Sequence, residues 1–179
     1  MGIDGAVSVF TIDDNLVLSS GATYSVEING TTAGTQHDQT VVNGAVNLSG
    51  ATLSVSGSYT PVAGNSIVLI ANDGSDAVSS TFAGLAEGAT VMLNSVAMKI
   101  SYVGGTGNDV VLSVNAAPTL TAISTLTGGT EDTEKIISFA DLQAAADDAD
   151  VDGTITAFVV KTVRTGTLKL GTSAAAATV

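Results

Sequence analysis

The sequence contains no cysteine and no tryptophan, and only five of its 179 residues are lysine or arginine. Without cysteine, disulfides and thiolate metal sites are excluded. The formal net charge of −12 argues against nucleic acid as a partner, because phosphate binding requires clustered basic residues. The longest aliphatic run, residues 67–71, is far too short for a transmembrane helix, so we expect no membrane insertion.

Small and β-branched residues fill most of the chain instead. Valine, alanine, leucine and isoleucine supply the apolar content, and threonine, serine and glycine make up much of the remainder. This mixture is typical of many short strands joined by small-residue turns, so it predicts an all-β protein. The first residues resemble no signal peptide, and residues 7–12 already have a strand pattern. We therefore expect the chain to be an internal piece of a longer protein.

An internal repeat is visible in the first half of the sequence. Residues 18–26 (LSSGATYSV) recur as residues 48–55 (LSGATLSV), 29 to 30 residues further on. Each copy alternates apolar and small polar residues, and Gly-Ala at the start suits a tight corner. The repeat favours a right-handed parallel β-helix-like stalk over residues 1–115, with the segment 90–114 covering its last coil. A β-sandwich and a calcium-loaded β-roll remain as alternatives.

The composition changes at Asn115-Ala116-Ala117-Pro118, where a linker proline follows a chain rich in glycine, serine and asparagine. We place a domain boundary there, which divides the chain into residues 1–115 and residues 116–179. In the second domain the pattern predicts four strands and one helix: strands at 119–126, 135–139, 154–163 and 167–170, and a helix over 138–146. Ser138 is its expected N-cap, with Asp141 at the third position after it. This domain is short for a complete β-sandwich, so we expect it to be truncated.

An acidic loop follows the predicted helix. It places carboxylates at alternate positions and ends in a glycine that turns the backbone: Asp148, Asp150, Asp152 and Gly153. Such spacing wraps oxygen ligands around a hard cation, and Ca²⁺ is the expected ion. The loop is not an EF-hand, because its twelfth position is Val159 and no helix pair flanks it.

The remaining calcium ligands must come from another part of the chain. Glu131 and Asp132, in the turn after the first strand of the second domain, are the best candidates. The alternative is a solvated acidic turn that binds nothing. Carboxylates crowded into so few positions repel one another, which counts against that alternative.

The second domain resembles the bacterial cadherin-like tandem-repeat domains of large surface adhesins. The resemblance covers residues 115–179 and rests on three motifs in order, with a later Gly-Thr-Leu strand at residues 166–168: Asn115 to Pro118, Glu131 to Thr133, and Asp148 to Gly153. It implies an immunoglobulin-like sandwich, often calcium-dependent, that serves as an extracellular spacer.

The first domain resembles, less specifically, the repeat segments of autotransporter-type exported surface proteins. The phrases that carry this resemblance are residues 48–53 and residues 104–112. It implies a β-helical stalk. Residues 104–112 also fit the calcium nonapeptide Gly-Gly-x-Gly-x-Asp-x-U-x, but with one full copy we favour a corner turn over a metal site.

Catalysis is not expected. His37 is the only histidine, it occupies a polar turn that we predict to be solvated, and no Gly-x-Ser-x-Gly elbow accompanies it. We therefore expect a calcium-stabilised, non-enzymatic adhesive segment of a secreted bacterial cell-surface protein. Its expected partners are other domains of the parent protein, neighbouring copies, or a cell-surface or glycan target. A self-assembling filament or surface-layer subunit and a carbohydrate-binding module are the alternatives.

Overall fold

A computed structural model of the chain describes residues 6–130, 133–150, 153–163, 167, 169–170 and 177–178. The chain divides into two compact units, Met1–Ala116 and Ala117–Val179, which we call unit 1 and unit 2. Strands dominate the described residues, and the predicted all-β class is confirmed. That the two units are independent domains stays a prediction.

Unit 1 is built from short strands in which apolar and polar side chains alternate, as one buried face requires. In chain order these strands are β1 (Val9–Ile12), β2 (Leu16–Val17), β3 (Thr23–Glu27), β4 (Gln39–Val42), β5 (Val46–Asn47), β6 (Thr52–Ser56), β7 (Ser66–Asn72), β8 (Thr90–Leu93), β9 (Val96–Gly104) and β10 (Asp109–Ser113). In β3, for example, Tyr24 and Val26 are buried while the residues between and beside them are not.

Successive turns of the chain in unit 1 pair in parallel at a nearly constant spacing. β4 lies between β1 and β7, with Val9 opposite Gln39 and Thr40 opposite Ile70. β2 pairs with β5 at the same offset of 30 residues, and β3 pairs with β6 at an offset of 29. The spacing of the sequence repeat therefore equals the offset between paired strands. We call each such turn of three strands a coil, so that β1 to β3 form the first coil and β4 to β6 the second.

Glycines form the corners that the repeat predicts. Gly21 and Gly50 adopt left-handed backbone angles, with φ of +89° and +74°, two residues before the first residues of β3 and β6. A side chain would be strained there, whereas glycine adopts this conformation freely. Polar side chains tie equivalent corners together, since Asn15 Oδ1 accepts a hydrogen bond from the Ala45 backbone N–H at 2.8 Å.

The last part of unit 1 changes from parallel to antiparallel pairing. β8, β9 and β10 form a meander, and β10 pairs antiparallel with β7. The meander thereby occupies the edge of β7 where a further parallel strand would otherwise pair. Its burial follows the sequence pattern, because Met98, Ile100 and Tyr102 of β9 all point into the core.

Aromatic side chains connect the coils to the meander inside unit 1. Phe82, in the segment between β7 and β8, stacks on Tyr24 at 5.7 Å between ring centroids and lies 6.3 Å from Tyr102. The Tyr24 hydroxyl donates to the Leu69 carbonyl oxygen at 3.0 Å, and the Tyr102 hydroxyl accepts from the Phe82 backbone N–H at 3.1 Å. Both of these tyrosine hydroxyls are thus paired, and burial raises the pKa of Tyr24 to about 12.

Unit 2 contains little regular structure among its described residues. Helix α1 (Phe139–Ala145) is the only helix in the described part of the chain, and two short strands pair antiparallel: β11 (Lys169–Leu170) and β12 (Ala177–Thr178). The helix prediction is confirmed, including the capping box in which Ser138 and Asp141 satisfy each other's backbone N–H groups. Within the described ranges, no helix is long and apolar enough to span a membrane.

Three of the strands predicted for unit 2 are absent from its described residues. Residues 119–126 form only two isolated bridges, Thr119 with Ala149 and Ile123 with Ala146. Residues 135–138 and 154–163 form neither strand nor bridge. A strand needs a partner for its backbone groups, and a β-rich pattern by itself supplies none. Two packed sheets are accordingly not seen in the part of unit 2 that the structure describes.

Candidate calcium-binding loop

The acidic loop begins directly after α1 and is tied to the segment that follows Pro118. Thr119 and Ala149 exchange two backbone hydrogen bonds of 2.8 and 3.0 Å. The Asp147 backbone N–H adds a third bond, to the Ala122 carbonyl oxygen at 3.1 Å. These bonds hold the first half of the loop against residues 119–122.

The Asp147 carboxylate is already occupied by backbone donors. Its Oδ1 accepts from the N–H groups of Ala122 at 2.8 Å and Thr121 at 2.9 Å. These hydrogen bonds, first that of Ala122 and then that of Thr121, lower the pKa of Asp147 because they favour the charged form. Asp147 therefore joins the acidic loop to the segment that contains Thr121 and Ala122.

Two of the five predicted calcium ligands, Asp148 and Asp150, are described, and both are half-buried. The Asp150 carboxylate lies against Gly153, where an added Cβ would come within 2.7 Å of its Oδ2. The glycine thus leaves room for the carboxylate to fold over the loop. Carboxylate oxygens are ligands that Ca²⁺ takes, so these two residues fit the ion in chemical type.

The other three predicted ligands, Glu131, Asp132 and Asp152, lie outside the described residues. Within the ranges that are described, no three His, Cys, Asp or Glu side chains gather closely enough to hold a metal ion. The calcium site of unit 2 therefore stays a prediction.

The turn that fits the calcium nonapeptide, residues 104–109, is a corner of unit 1. Asp109 Oδ1 accepts from the Asn72 backbone N–H at 2.8 Å, and its Oδ2 accepts from the Thr106 backbone N–H at 3.0 Å. Gly105 has a left-handed φ of +54°, and a Cβ there would overlap the Asp109 carboxylate. The motif thus closes a turn and leads into the buried strand β10, as the corner-turn interpretation predicts.

Amide donors occupy the carbonyl oxygens beside this turn. Asn108 Nδ2 donates to the carbonyl oxygens of Asp73 at 2.8 Å and Asp76 at 3.2 Å. Asn72 Nδ2 also donates to the Asp76 carbonyl oxygen, at 2.9 Å. These bonds join the turn to residues 72–76, which supports a structural role for the turn.

His37 is buried, and the prediction that it is solvated is wrong. Only 2% of its surface is exposed, and its Nε2 lies 3.3 Å from the Val68 carbonyl oxygen. The turn folds back on the chain, because the His37 backbone N–H donates to the Thr32 carbonyl oxygen and His37 bridges to Ile28. Burial lowers the pKa of His37, and the bond to Val68 and the charge of Asp38 oppose this shift only in part.

No protein-family model matches the chain, and comparisons with curated proteins and with solved structures also find no match. The functional proposals below therefore depend on the geometry and chemistry of this chain alone.

Asp38 is a structural residue that the sequence pattern did not reveal. Its Oδ1 accepts from the Ser8 backbone N–H and its Oδ2 from the Glu27 backbone N–H, both at 2.9 Å. One carboxylate therefore joins the two ends of the first coil. The separation of Ser8 and Asp38 by 30 residues, one coil, is the signal from which this bond could have been inferred.

Proposed function

We propose that this chain is a structural and adhesive segment of a large secreted bacterial surface protein, with no catalytic role. The observation that carries the proposal is the parallel pairing of successive turns at a spacing of 29 to 30 residues. A chain that stacks equivalent turns builds an extended scaffold, because each turn covers the apolar face of the next. In this proposal, strands β1 to β7 belong to the coils of a right-handed parallel β-helix.

The polar groups of unit 1 favour a scaffold over a chemical site. The carboxylates of Asp38 and Asp109 and the amide of Asn108 all bond to backbone groups and thereby hold turns together. The single histidine, His37, is buried against a carbonyl oxygen. A catalytic acid or base needs access to a substrate proton, which the buried His37 and Asp109 do not offer.

Calcium would supply the stability that unit 2 does not obtain from burial. Every buried large hydrophobic side chain of the described residues belongs to unit 1, whereas the following large apolar side chains of unit 2 are exposed: Leu120, Ile123, Ile136, Ile137, Phe139, Val159, Val160 and Val163. Small units with little apolar core need another constraint, and a bound metal is a common one.

Calcium held by the acidic loop would meet this need. We propose that the ion is held by Asp148, Asp150 and Asp152 together with Glu131 and Asp132. Binding to the folded state alone would add about 2.7 kcal/mol at a free concentration of 100 times the dissociation constant. Because the ion would join the loop to a second turn, its loss should loosen unit 2 and leave unit 1 unchanged.

Hydrogen exchange in calcium and in chelator tests the calcium proposal. Tyr24, Tyr59 and Tyr102 are the only tyrosines and lie in unit 1, so tyrosine fluorescence reports that unit alone. Amide exchange of α1 reports unit 2. We expect chelator to accelerate exchange in α1 at least tenfold while the thermal midpoint seen by tyrosine fluorescence stays constant.

A matched pair of variants provides the control for this experiment. The double variant Asp148→Asn/Asp150→Asn should exchange rapidly in both buffers. Asp73→Asn/Asp76→Asn, which makes the same charge change at exposed positions of unit 1, should behave as the parent chain does. Equal exchange rates of α1 in calcium and chelator would show that no stabilising ion is bound.

Self-assembly is a second candidate function, and the exposed apolar residues of unit 2 favour it. Contiguous exposed apolar surface is typical of association sites. Static light scattering of the same samples distinguishes the two functions. A spacer remains monomeric in both buffers, whereas an assembling subunit gains mass with concentration.

A further inference from the structure

No described strand covers one end of the coil stack in unit 1. Among the residues that the structure describes, β1 pairs only with β4, β2 only with β5, and β3 only with β6. All three partners belong to the second coil. The other hydrogen-bonding edges of β1, β2 and β3 therefore lie together at the same end of the stack. The backbone shows the same direction, because the amides of Leu16 and Leu18 donate to Ala45 and Asn47 of the second coil.

The interior side chains at this end are incompletely buried. Val46 and Leu48 of the second coil are fully buried, whereas the equivalent Leu16 and Leu18 of the first coil are only half-buried. Phe10, which lies opposite the buried Thr40, is 38% exposed. Equivalent side chains differ in burial because the second coil packs against chain on both sides, whereas the first coil packs against chain on one side.

The apolar side chains at this end of the stack form a groove of about 60 Å³, whose lining includes Phe10, Ile12, Leu16, Leu18 and Tyr24. That volume is well below the roughly 300 Å³ of a typical small-molecule site. The one charged side chain in the lining, Asp38, already accepts two backbone hydrogen bonds. The groove therefore offers mainly apolar contact and strand edges.

We propose that this end is the docking surface for one further coil of the same repeat. The occupant is a polypeptide of about 30 residues in three short strands, with aliphatic side chains aligned over Ile12, Leu16 and Leu18. Such a coil continues the interface that already joins the first coil to the second, in the same register. It satisfies the three strand edges and covers the apolar groove together.

A second copy docked by its own open end fits this surface less well. Asp13 and Asp14 are exposed in the corner between β1 and β2, at the rim of the surface. A two-fold contact would join two surfaces that each carry this acidic corner, on copies that each have a net charge of −12, so like charges oppose it. A single added coil can place its own corner in register, as the second coil does where Asn43 Nδ2 donates to Asp13 Oδ1 at 2.8 Å.

The inference rests on the coil architecture proposed above and is independent of calcium and of adhesion. Its test is a tandem duplication of residues 9–38 in the full chain, which inserts one coil in register because Val9 pairs with Gln39. Two exposed positions of the added copy carry Ser20→Thr and Thr31→Ser, so that mass spectrometry separates its peptides from those of the native copy.

The readout is the exchange rate of the Val17 amide in the native copy. Its neighbours Leu16 and Leu18 donate to the second coil, so the Val17 amide faces the open edge. We expect its exchange to become at least tenfold slower when the added coil pairs with it. A control duplication that carries Leu16→Asp and Leu18→Asp in the added copy should leave the native rate unchanged.

Three outcomes would overturn the proposal. The native copy could exchange at its original rate beside an added coil that exchanges as an unfolded chain does. The parent chain could sediment as a dimer in which Val17 is already protected, which would make a second copy the occupant. Should the duplication not fold, a synthetic peptide of residues 9–38 replaces it, and failure of that peptide at millimolar concentration to slow Val17 exchange is equally decisive. None of these results changes the calcium response of α1, so the two proposals fail separately.

Discussion

Leu48 and Leu18 occupy the same position one coil apart, and their replacement by alanine tests the stacked architecture. Both substitutions delete the same atoms. Leu48 has no exposed surface, and Leu18 is half-buried at the open end. Replacing a fully buried leucine by alanine lowers the free energy of unfolding by about 2 to 5 kcal/mol, because the transfer free energy of the deleted atoms is lost and a cavity remains. Leu18 is only half-buried, so its replacement loses about half of that transfer free energy, and water can fill the space that is left. We therefore expect the free energy of unfolding to fall by about 1 kcal/mol.

Urea unfolding followed by tyrosine fluorescence measures both losses in unit 1. Small proteins have urea slopes of about 1 to 3 kcal/mol per molar. A difference of about 2 kcal/mol therefore separates the midpoints of Leu48→Ala and Leu18→Ala by roughly 1 M. An unchanged slope in both variants is the control for two-state unfolding. Equal losses at the two positions would refute the reasoning, since they would mean that Leu18 is covered as completely as Leu48.

Two further predictions concern a corner glycine and the buried histidine. Gly57→Ala should cost about 3 kcal/mol, because its Cβ would overlap the Ile28 backbone. Gly50→Ala, with nothing within 4 Å of its Cβ, should cost about 1 kcal/mol from its left-handed backbone alone. Urea midpoints measure both losses, and similar values would contradict the close approach at Gly57. His37 has a lowered pKa in the folded state, so below pH 6.5 the unfolded chain binds a proton that the folded chain does not. The free energy of unfolding should therefore fall between pH 7.5 and 5.5 by at most about 1.4 kcal/mol per pH unit, and a His37→Gln variant that keeps the same slope would show that another group titrates.

The repeat made much of unit 1 predictable. Residues 18–26 and 48–55 pair in parallel at the spacing that their sequences show. Gly21 and Gly50 form left-handed corners for the reason expected of glycine before a strand. Local rules were equally sufficient for α1, since a serine followed three residues later by an acid describes a capping box whatever surrounds it.

Prediction was weaker wherever a residue depends on a distant partner. The strand patterns at 119–126 and 154–163 have the composition of strands, yet backbone pairing needs a neighbour that the pattern does not specify. Two of the five candidate calcium ligands, Asp148 and Asp150, are described, and the joint geometry of all five stays a prediction. Asp147, which directly precedes the acidic loop, accepts hydrogen bonds from the backbone N–H groups of Thr121 and Ala122, and its sequence position does not specify these distant partners.

The sequence by itself determined the all-β class, the length of a coil, the glycine corners and the helix cap, because each depends on residues close in the chain or on a repeated spacing. Tertiary structure alone decided three other features. His37 is buried and not solvated, Asp38 closes the first coil, and the turn at residues 104–109 is held by amide donors. Each of these depends on which backbone groups lie nearby after the coils have stacked, and residues about 30 positions apart meet only then.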